Sequence, residues 1–399
     1  MTAITPVPID AAADRIRLCV VCTHSLTLAT LYKGLFPYLS ARGFDIDVIV
    51  GDHEYTEFAP EDFGPIRPIV IPMVRLPSPA ADLKSLLGFI RHFARHRYDV
   101  VHVSTPKASL TATLARTLTG GGPTVFVYRR CVYELMTGLK RMAYMNVDRV
   151  ICALSTLVVP ISRQLERFLI DERIAPPDKV RLIGAGSSNG VDTVRFDLTP
   201  DVRQAAKTLR EDLGIPARAP VLLFVGRVCS EKGVDLLPAV FDRVRAAVPD
   251  VHMIVAGPDD DRDPISPGTA AAFAADTAIH RIGFVSDTGP LYALSSVFVF
   301  PSYFEGFGNV LLEAAAMQRV SVAFDVPGVQ EAVQDGVSGR LVPSGDAPAM
   351  ARAVIDLLED PDGREAMQTR ARSRVVDLFS RERVLAEIET LLRGLVRRR

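Results

Sequence analysis

The chain has 399 residues, beyond the size at which one hydrophobic core stops growing, so two domains are expected. Hydrophobic residues at 48%, charged residues at 23% and a formal net charge of -1 describe an ordinary globular protein and argue against a whole-molecule field built for nucleic acid. Five cysteines, an odd number in a long chain, form no disulfide framework and suit a reducing cytosol.

The first residues, MTAITPVPIDAAADRIRLC, lack a basic region followed by an apolar core and do not read as a signal peptide. No stretch reaches the roughly 18 uncharged apolar residues of a membrane-spanning helix, so the expectation is a soluble or peripheral protein of the cytoplasm. Cys19 and Cys22 have the spacing of a redox pair. They lie inside the apolar run RLCVVCTH, not at a helix start where a thiol pKa would fall, so they read as buried strand residues.

Short apolar runs then alternate with helical patterns. IRLCVVC, DIDVIVG, RPIVIPM, DVVHVS, TVFVYRR and RVICALS read as strands, and Leu28 to Arg42 and Ala80 to His96 have apolar residues three and four apart. The pattern lapses around Thr193 to Arg203 and restarts with VLLFVGR, HMIVAGP, IHRIGFV, VFVFPS, VSVAFD and GRLVPS. This alternation predicts an α/β architecture of two Rossmann-like, doubly wound parallel-sheet domains, over residues 1–198 and 199–380. The helical segment Arg381 to Leu395 could pack on either domain, including back on the first. Such sheets bind ligands beyond the carboxyl ends of their strands, which places the expected site in a cleft faced by both.

The second half carries most of the candidate chemistry. In VLLFVGRVCSEKGVDLL, Gly226 ends a strand and allows a close backbone turn, while Arg227 offers a planar fork and Lys232 a mobile charge for phosphate oxygens. Two solvated surface cations are the alternative. Asp259, Asp260 and Asp261 could form a metal-binding cluster, but consecutive acids also fill turns through bonds to backbone. The backbone at Gly283 to Val285 could meet a planar base, or could simply turn from strand to helix.

SVFVFPSYFEGFGNVLLEAAAMQ reads as strand, glycine-containing loop and helix, the helix starting near Gly308 or Asn309. Its free N–H groups suit a diphosphate. Glu305 before the helix and Glu313 inside it are eight residues apart. Acids beside an anion seat would repel it unless they bind hydroxyl donors, so a ribose and a sugar are the natural partners. Alternatively Glu305 is a helix cap and Glu313 a surface residue.

Taken together, GRVCSEKG, GFVSD and FEGFGNVLLEA, with SSNGVDTVRF before the domain junction, resemble glycosyltransferase family 4, retaining enzymes of the GT-B fold whose signature is E-x7-E. The resemblance implies that Arg227 and Lys232 grip the diphosphate of a nucleotide sugar and that Glu313 holds its ribose. It further implies that Glu305, with Gly306 and the amides of Phe307, Gly308 and Asn309, contacts the donor sugar and phosphate, and that Val285 lies beside the base. Charge would build on the leaving diphosphate, stabilised by Arg227, Lys232 and the helix end, with Glu305 at the sugar. No metal or other cofactor is needed in such chemistry.

Two departures stand out. The usual glycine pair after the first strand is replaced by THSLTLATL, with His24 and Thr27. The usual histidine after a middle strand is replaced by Arg129 and Arg130, in VYRRCVYELMTGLKR. His24, Thr27 and Arg129, with Lys107 of STPKASL and Asn189, are candidates for lining the cleft or meeting the acceptor. The departures are similar to a bacterial subset that builds capsule, O-antigen or protein-linked glycans on undecaprenyl diphosphate. The implied partners are a UDP-sugar donor, with an N-acetylhexosamine a candidate sugar, and a glycan or lipid-linked acceptor, but no nucleic acid. Lys140, Arg141 and the terminal arginines are candidates for peripheral contact with the cytoplasmic membrane face. A nucleotide-sugar 2-epimerase of the same architecture and a non-catalytic nucleotide-sugar-binding subunit are the alternatives.

Overall fold

The computed structural model describes residues 15–32, 34–52, 63–74, 78–133 and 136–396. The chain divides into two compact units. One runs to Gly184 and is completed by the segment from Val384; the other is Ala185–Arg383. The first boundary therefore falls at Gly184, not after residue 198.

The first unit holds six parallel strands, β1 (Ile16–Val21), β2 (Phe44–Val50), β3 (Ile66–Val70), β4 (Val100–Val103), β5 (Thr124–Tyr128) and β6 (Leu157–Pro160). Their order across the sheet is β3-β2-β1-β4-β5-β6, with Val21 level with Ile49 on one side and Val103 on the other. The central strands are almost wholly apolar, as strands covered on both faces must be. β3 stands at the sheet edge and is half exposed, which is where Pro68, lacking an N–H for the ladder, can be accommodated.

The second unit repeats the plan. Its strands are β7 (Val221–Val225), β8 (His252–Ala256), β9 (Ile279–Gly283), β10 (Val297–Phe300), β11 (Ser321–Phe324) and β12 (Gly339–Val342), ordered β12-β11-β10-β7-β8-β9. Both sheets therefore reverse direction beside their first strand, between β1 and β4 and between β7 and β10. That reversal opens a crevice at the carboxyl ends, the usual ligand position of this architecture.

Two elements differ from the sequence reading. RVICALS is not a strand: it ends the helix Gly138–Leu154, and β6 follows at Leu157. The helix buries Met145, Asp148, Ile151 and Cys152, a stripe wider than a seven-residue window can reveal. The segment Leu28 to Arg42 contains two helices, Leu26–Leu31 and Leu35–Ser40, because Gly34 adopts a left-handed conformation between them. Cys19 and Cys22 are buried free thiols, as a strand position requires, and burial pushes Cys22 up to about 12.

The last helix, Arg381–Val396, buries Val384, Leu385, Ile388 and Leu392. Arg393 donates to the Arg42 carbonyl at 2.5 Å, and Glu389 lies 3.3 Å from the Arg42 guanidinium. This attaches the end of the chain to the first unit. Among the described residues no helix is long and apolar enough to cross a membrane.

Candidate active site

In the second unit, the loops after β7 and β10 bring distant charges together. Lys232 Nζ lies 2.5 Å from Glu305 Oε1 and 3.4 Å from the Phe304 carbonyl. Both side chains are largely withdrawn from water, at 13% and 16% exposure, so Lys232 is not a solvated surface cation. Arg227 is half exposed and donates to Asp260, with Glu231 Oε1 3.7 Å away. The glycine before it, Gly226, continues the ladder by donating its N–H to Ala256 at 3.0 Å.

The acidic run after β8 is divided among arginines. Arg281 donates to Asp259 at 2.6 Å, while Asp260 accepts from Arg227 and, at 2.9 and 3.0 Å, from Arg262. The hydrogen bonds from Arg262, assisted by Arg227, hold the Asp260 carboxyl well below the usual carboxylate range. Among the described residues no group of three or more His, Cys, Asp or Glu could hold a metal ion.

After β10 the chain turns through Phe304–Gly308 into the helix Asn309–Ala316. Gly308 is its N-cap at φ +72, and no side chain caps the helix, so Glu305 serves as partner to Lys232 and not as the cap. The loop is held from behind by Gly328, also left-handed at φ +78, where a Cβ would meet the Glu305 carbonyl at 2.3 Å. Phe307 is buried, with its ring 5.5 Å from that of Phe379. Asn309 Nδ2 lies 3.5 Å from Asn189 Oδ1, while its own Oδ1 is buried without a partner.

Glu313, one turn inside the helix, is part-buried and not a free surface residue. The Tyr292 hydroxyl donates to it at 3.1 Å. Burial pushes its carboxyl up to about 7, opposed by the Tyr292 hydrogen bond and by the charges of Arg195 and Arg381. Glu305 and Glu313 thus have separate partners, Lys232 and Tyr292. Val285, two residues beyond β9, is half-buried next to exposed Phe284, and Arg195 donates to the Ser286 carbonyl at 2.9 Å.

At the carboxyl edge of the first unit, Thr23 and Thr105 join the ends of β1 and β4, their hydroxyls 2.8 Å apart. Asp52 accepts from Ser25 Oγ at 2.5 Å and lies 3.0 Å from His24 Nδ1. Thr27 opens the short helix after them, its N–H donating to the His24 carbonyl at 3.1 Å. Lys107 pairs with Asp82 at 2.7 Å. Arg129, just past β5, places its guanidinium carbon 5.3 Å from the Tyr32 ring centroid, and its Nε and Nη1 are buried without hydrogen-bond partners.

The positions that sequence reasoning missed are partners of these residues. Asp260 was visible only as one of three loop acids. Tyr292, Asp52 and Gly328 carried no local signal, because each acts on a residue distant along the chain.

Two doubly wound sheets of six parallel strands each, with charged loops gathered at the carboxyl edge of the second, have the GT-B architecture. Residues 29–186 match the family described as Glycosyl transferase 4-like domain, and residues 219–360 match Glycosyl transferases group 1. The chain is a glycosyltransferase built from these two domains. It is 28% identical over 363 residues to the capsular polysaccharide biosynthesis glycosyltransferase CapM of Staphylococcus aureus, covering 90% of this chain and 93% of CapM. Among solved structures it resembles sucrose-phosphate synthase from Thermosynechococcus elongatus, with TM-score 0.79 at 22% identity over 96% of this chain and 100% of that one. HepE from Anabaena, solved with UDP-glucose, has TM-score 0.77 at 19% identity, covering 95% and 100% of the two chains.

Proposed function

We propose that this glycosyltransferase moves a sugar from a UDP-sugar to a glycan or lipid-linked acceptor with retention of anomeric configuration, as a family 4 enzyme whose E-x7-E acids are Glu305 and Glu313. The observation that carries the reading is the contact of Lys232 with Glu305 in front of the Asn309–Ala316 helix. The cation and the helix end form a seat for a diphosphate, and the acid is positioned for sugar hydroxyls. Arg227 supplies a second cation, and Gly226 with Gly306–Asn309 supplies close backbone. Glu313 receives the ribose, with the base beside Val285. Support also comes from the relatives: HepE has been solved with UDP-glucose, and CapM is named for capsular polysaccharide synthesis.

In this reading the anomeric C–O bond breaks and its electron pair goes to the diphosphate, where Arg227, Lys232 and the helix N–H groups stabilise the growing charge. The acceptor oxygen bonds to the anomeric carbon on the same face, and its proton passes to the departing phosphate oxygen. No protein nucleophile and no metal takes part. Polysaccharide or glycoconjugate assembly is the setting, with an N-acetylhexosamine a candidate sugar. Lys140 and Arg141, flanked by the exposed Leu139 and Met142, suit contact with anionic lipid at the cytoplasmic face. The terminal arginines, 397–399, lie outside the described residues.

The test is a panel of nucleotide sugars assayed with and without glycan and polyprenyl-diphosphate sugar acceptors. Transfer that needs an acceptor and persists in EDTA supports the proposal. Release of an epimer or free sugar from the donor alone, or binding without turnover on any acceptor, overturns it.

A further inference from the structure

Arg129 is a half-buried cation with no counter-ion among the described residues. It follows β5, beside the point where the first sheet reverses direction. Among the described residues it makes no ion pair, and its Nε and Nη1 are buried with no hydrogen-bond partner. Its neighbours are neutral: the ring of Tyr32, the thiol of Cys22, and His102, whose proton affinity is lowered to about 3 by burial first and by the Arg129 charge second. Tyr32 gives its own hydroxyl hydrogen to Ser104 at 2.8 Å and accepts a hydrogen bond from Arg129, which leaves Nε and Nη1 without partners. The acid of this edge, Asp52, is bound by Ser25 and His24.

Leaving guanidinium N–H groups unsatisfied in a site of low dielectric costs several kcal/mol, so the arrangement persists where the charge serves a purpose. A guanidinium cannot relieve the cost by losing its proton. Its Nε–H and Nη1–H groups lie on different edges of the guanidinium, and either can donate a charge-assisted hydrogen bond to an anionic oxygen. We infer that Arg129 is the binding residue for an oxyanion, phosphoryl or carboxylate, carried by a substrate that enters the carboxyl edge of the first sheet. This rests on the glycosyltransferase reading for the word substrate, but the anion site itself is a property of the first unit.

Calorimetric titration of the full chain tests it, with inorganic pyrophosphate and, separately, glucuronate as probes. An Arg227→Ala background weakens the proposed donor seat as a competing site, and dependence on Arg129 separates the two. In that background at least one anion is expected to bind. Adding Arg129→Gln is expected to weaken it by about tenfold or more, the loss of charge-assisted hydrogen bonds, and Arg129→Lys by less. Dependence on Arg129 for pyrophosphate alone identifies a phosphoryl group, and for glucuronate alone a carboxylate.

Without ligand, the melting temperature of Arg129→Gln is expected to hold or rise, since a half-buried charge with no counter-ion among the described residues is removed. If the Gln variant does not fold, the Lys variant and wild type still give the comparison of affinities. Anion affinities unchanged by either substitution, or a melting temperature lowered by several degrees with affinity intact, overturn the inference and leave Arg129 a structural cation. An Arg227→Ala chain that binds pyrophosphate like the wild type counts against the donor seat and leaves the Arg129 site standing.

Discussion

The two sheets have the same strand order and opposite electrostatic arrangements at their carboxyl edges. In the second, Lys232 is held by Glu305 and Arg227 by Asp260, so each cation has an internal acid. In the first, Asp52 is satisfied by Ser25 and His24 and Lys107 pairs with Asp82, while Arg129 has no acid among the described residues. Topology fixes where a ligand can go, but the loops decide whether it must displace a resident acid or meets donors that have no partner. At the second edge a diphosphate on Lys232 would free Glu305 for hydroxyl groups, which explains why a carboxylate stands beside an anion seat.

The largest expected effect breaks the second edge. Lys232→Ala removes the cation and leaves Glu305 unpaired, so the turnover rate should fall about 10²–10³-fold, the usual scale for one preorganised charge-stabilising group. Glu305→Gln should lose transfer as well, and wild-type kinetics in either variant would refute the assignment. Next, Gly328→Ala drives a Cβ to 2.3 Å from the Glu305 carbonyl at φ +78. A loss of about 2 kcal/mol is expected from the urea midpoint, with weaker donor binding as the Glu305 loop shifts.

Glu313 gives the second edge a pH signature opposite in sign to that of His102 at the first, whose buried neutral ring favours the folded state as pH rises. Burial raises its folded-state pKa from the ordinary 4.5 to about 7, so between these values the native chain keeps a proton that the unfolded chain has lost. Its contribution to stability is full below about 4.5 and falls as pH rises through about 7, by on the order of 2 kcal/mol. The difference in denaturation midpoint between the wild type and Glu313→Gln should show this slope across the window, the opposing contribution of His102 being common to both. Nucleotide affinity should run the other way, tightening as the carboxylate forms and can accept from a ribose. Tyr292→Phe removes the hydrogen bond that opposes the shift, and should cost about 1 kcal/mol while moving the Glu313 transition to higher pH.

The smallest effect belongs to the first edge. The His24 ring is 46% exposed, so His24→Ala should change the melting free energy by less than about 0.5 kcal/mol.

The parts legible in the sequence were those written in contiguous residues. Apolar runs of four to seven residues marked most strands, and Arg227–Lys232 and Glu305–Glu313 each lie within one loop or one loop and helix. RVICALS failed because burial of one helical stripe and burial of a strand look alike over seven residues. The partners Asp260 and Tyr292 were illegible for another reason: they lie 33 and 21 positions from the groups they hold, a relation created only when parallel strands align their ends. Arg129 could be read as an anomaly in a pattern, but that it meets no acid among the described residues is a fact of three dimensions.

The return of the last helix to the first unit has a consequence for how the chain is made. The Arg42 carbonyl and the Arg393 that donates to it are 351 positions apart, with the whole second unit between them. On the ribosome the first sheet must therefore wait, its Arg42 edge uncovered, until the segment from Val384 has emerged. The second unit, an unbroken stretch, can be complete before then. A fragment ending at Gly184 should be less soluble than one spanning Ala185–Arg383, although it contains an intact six-stranded sheet.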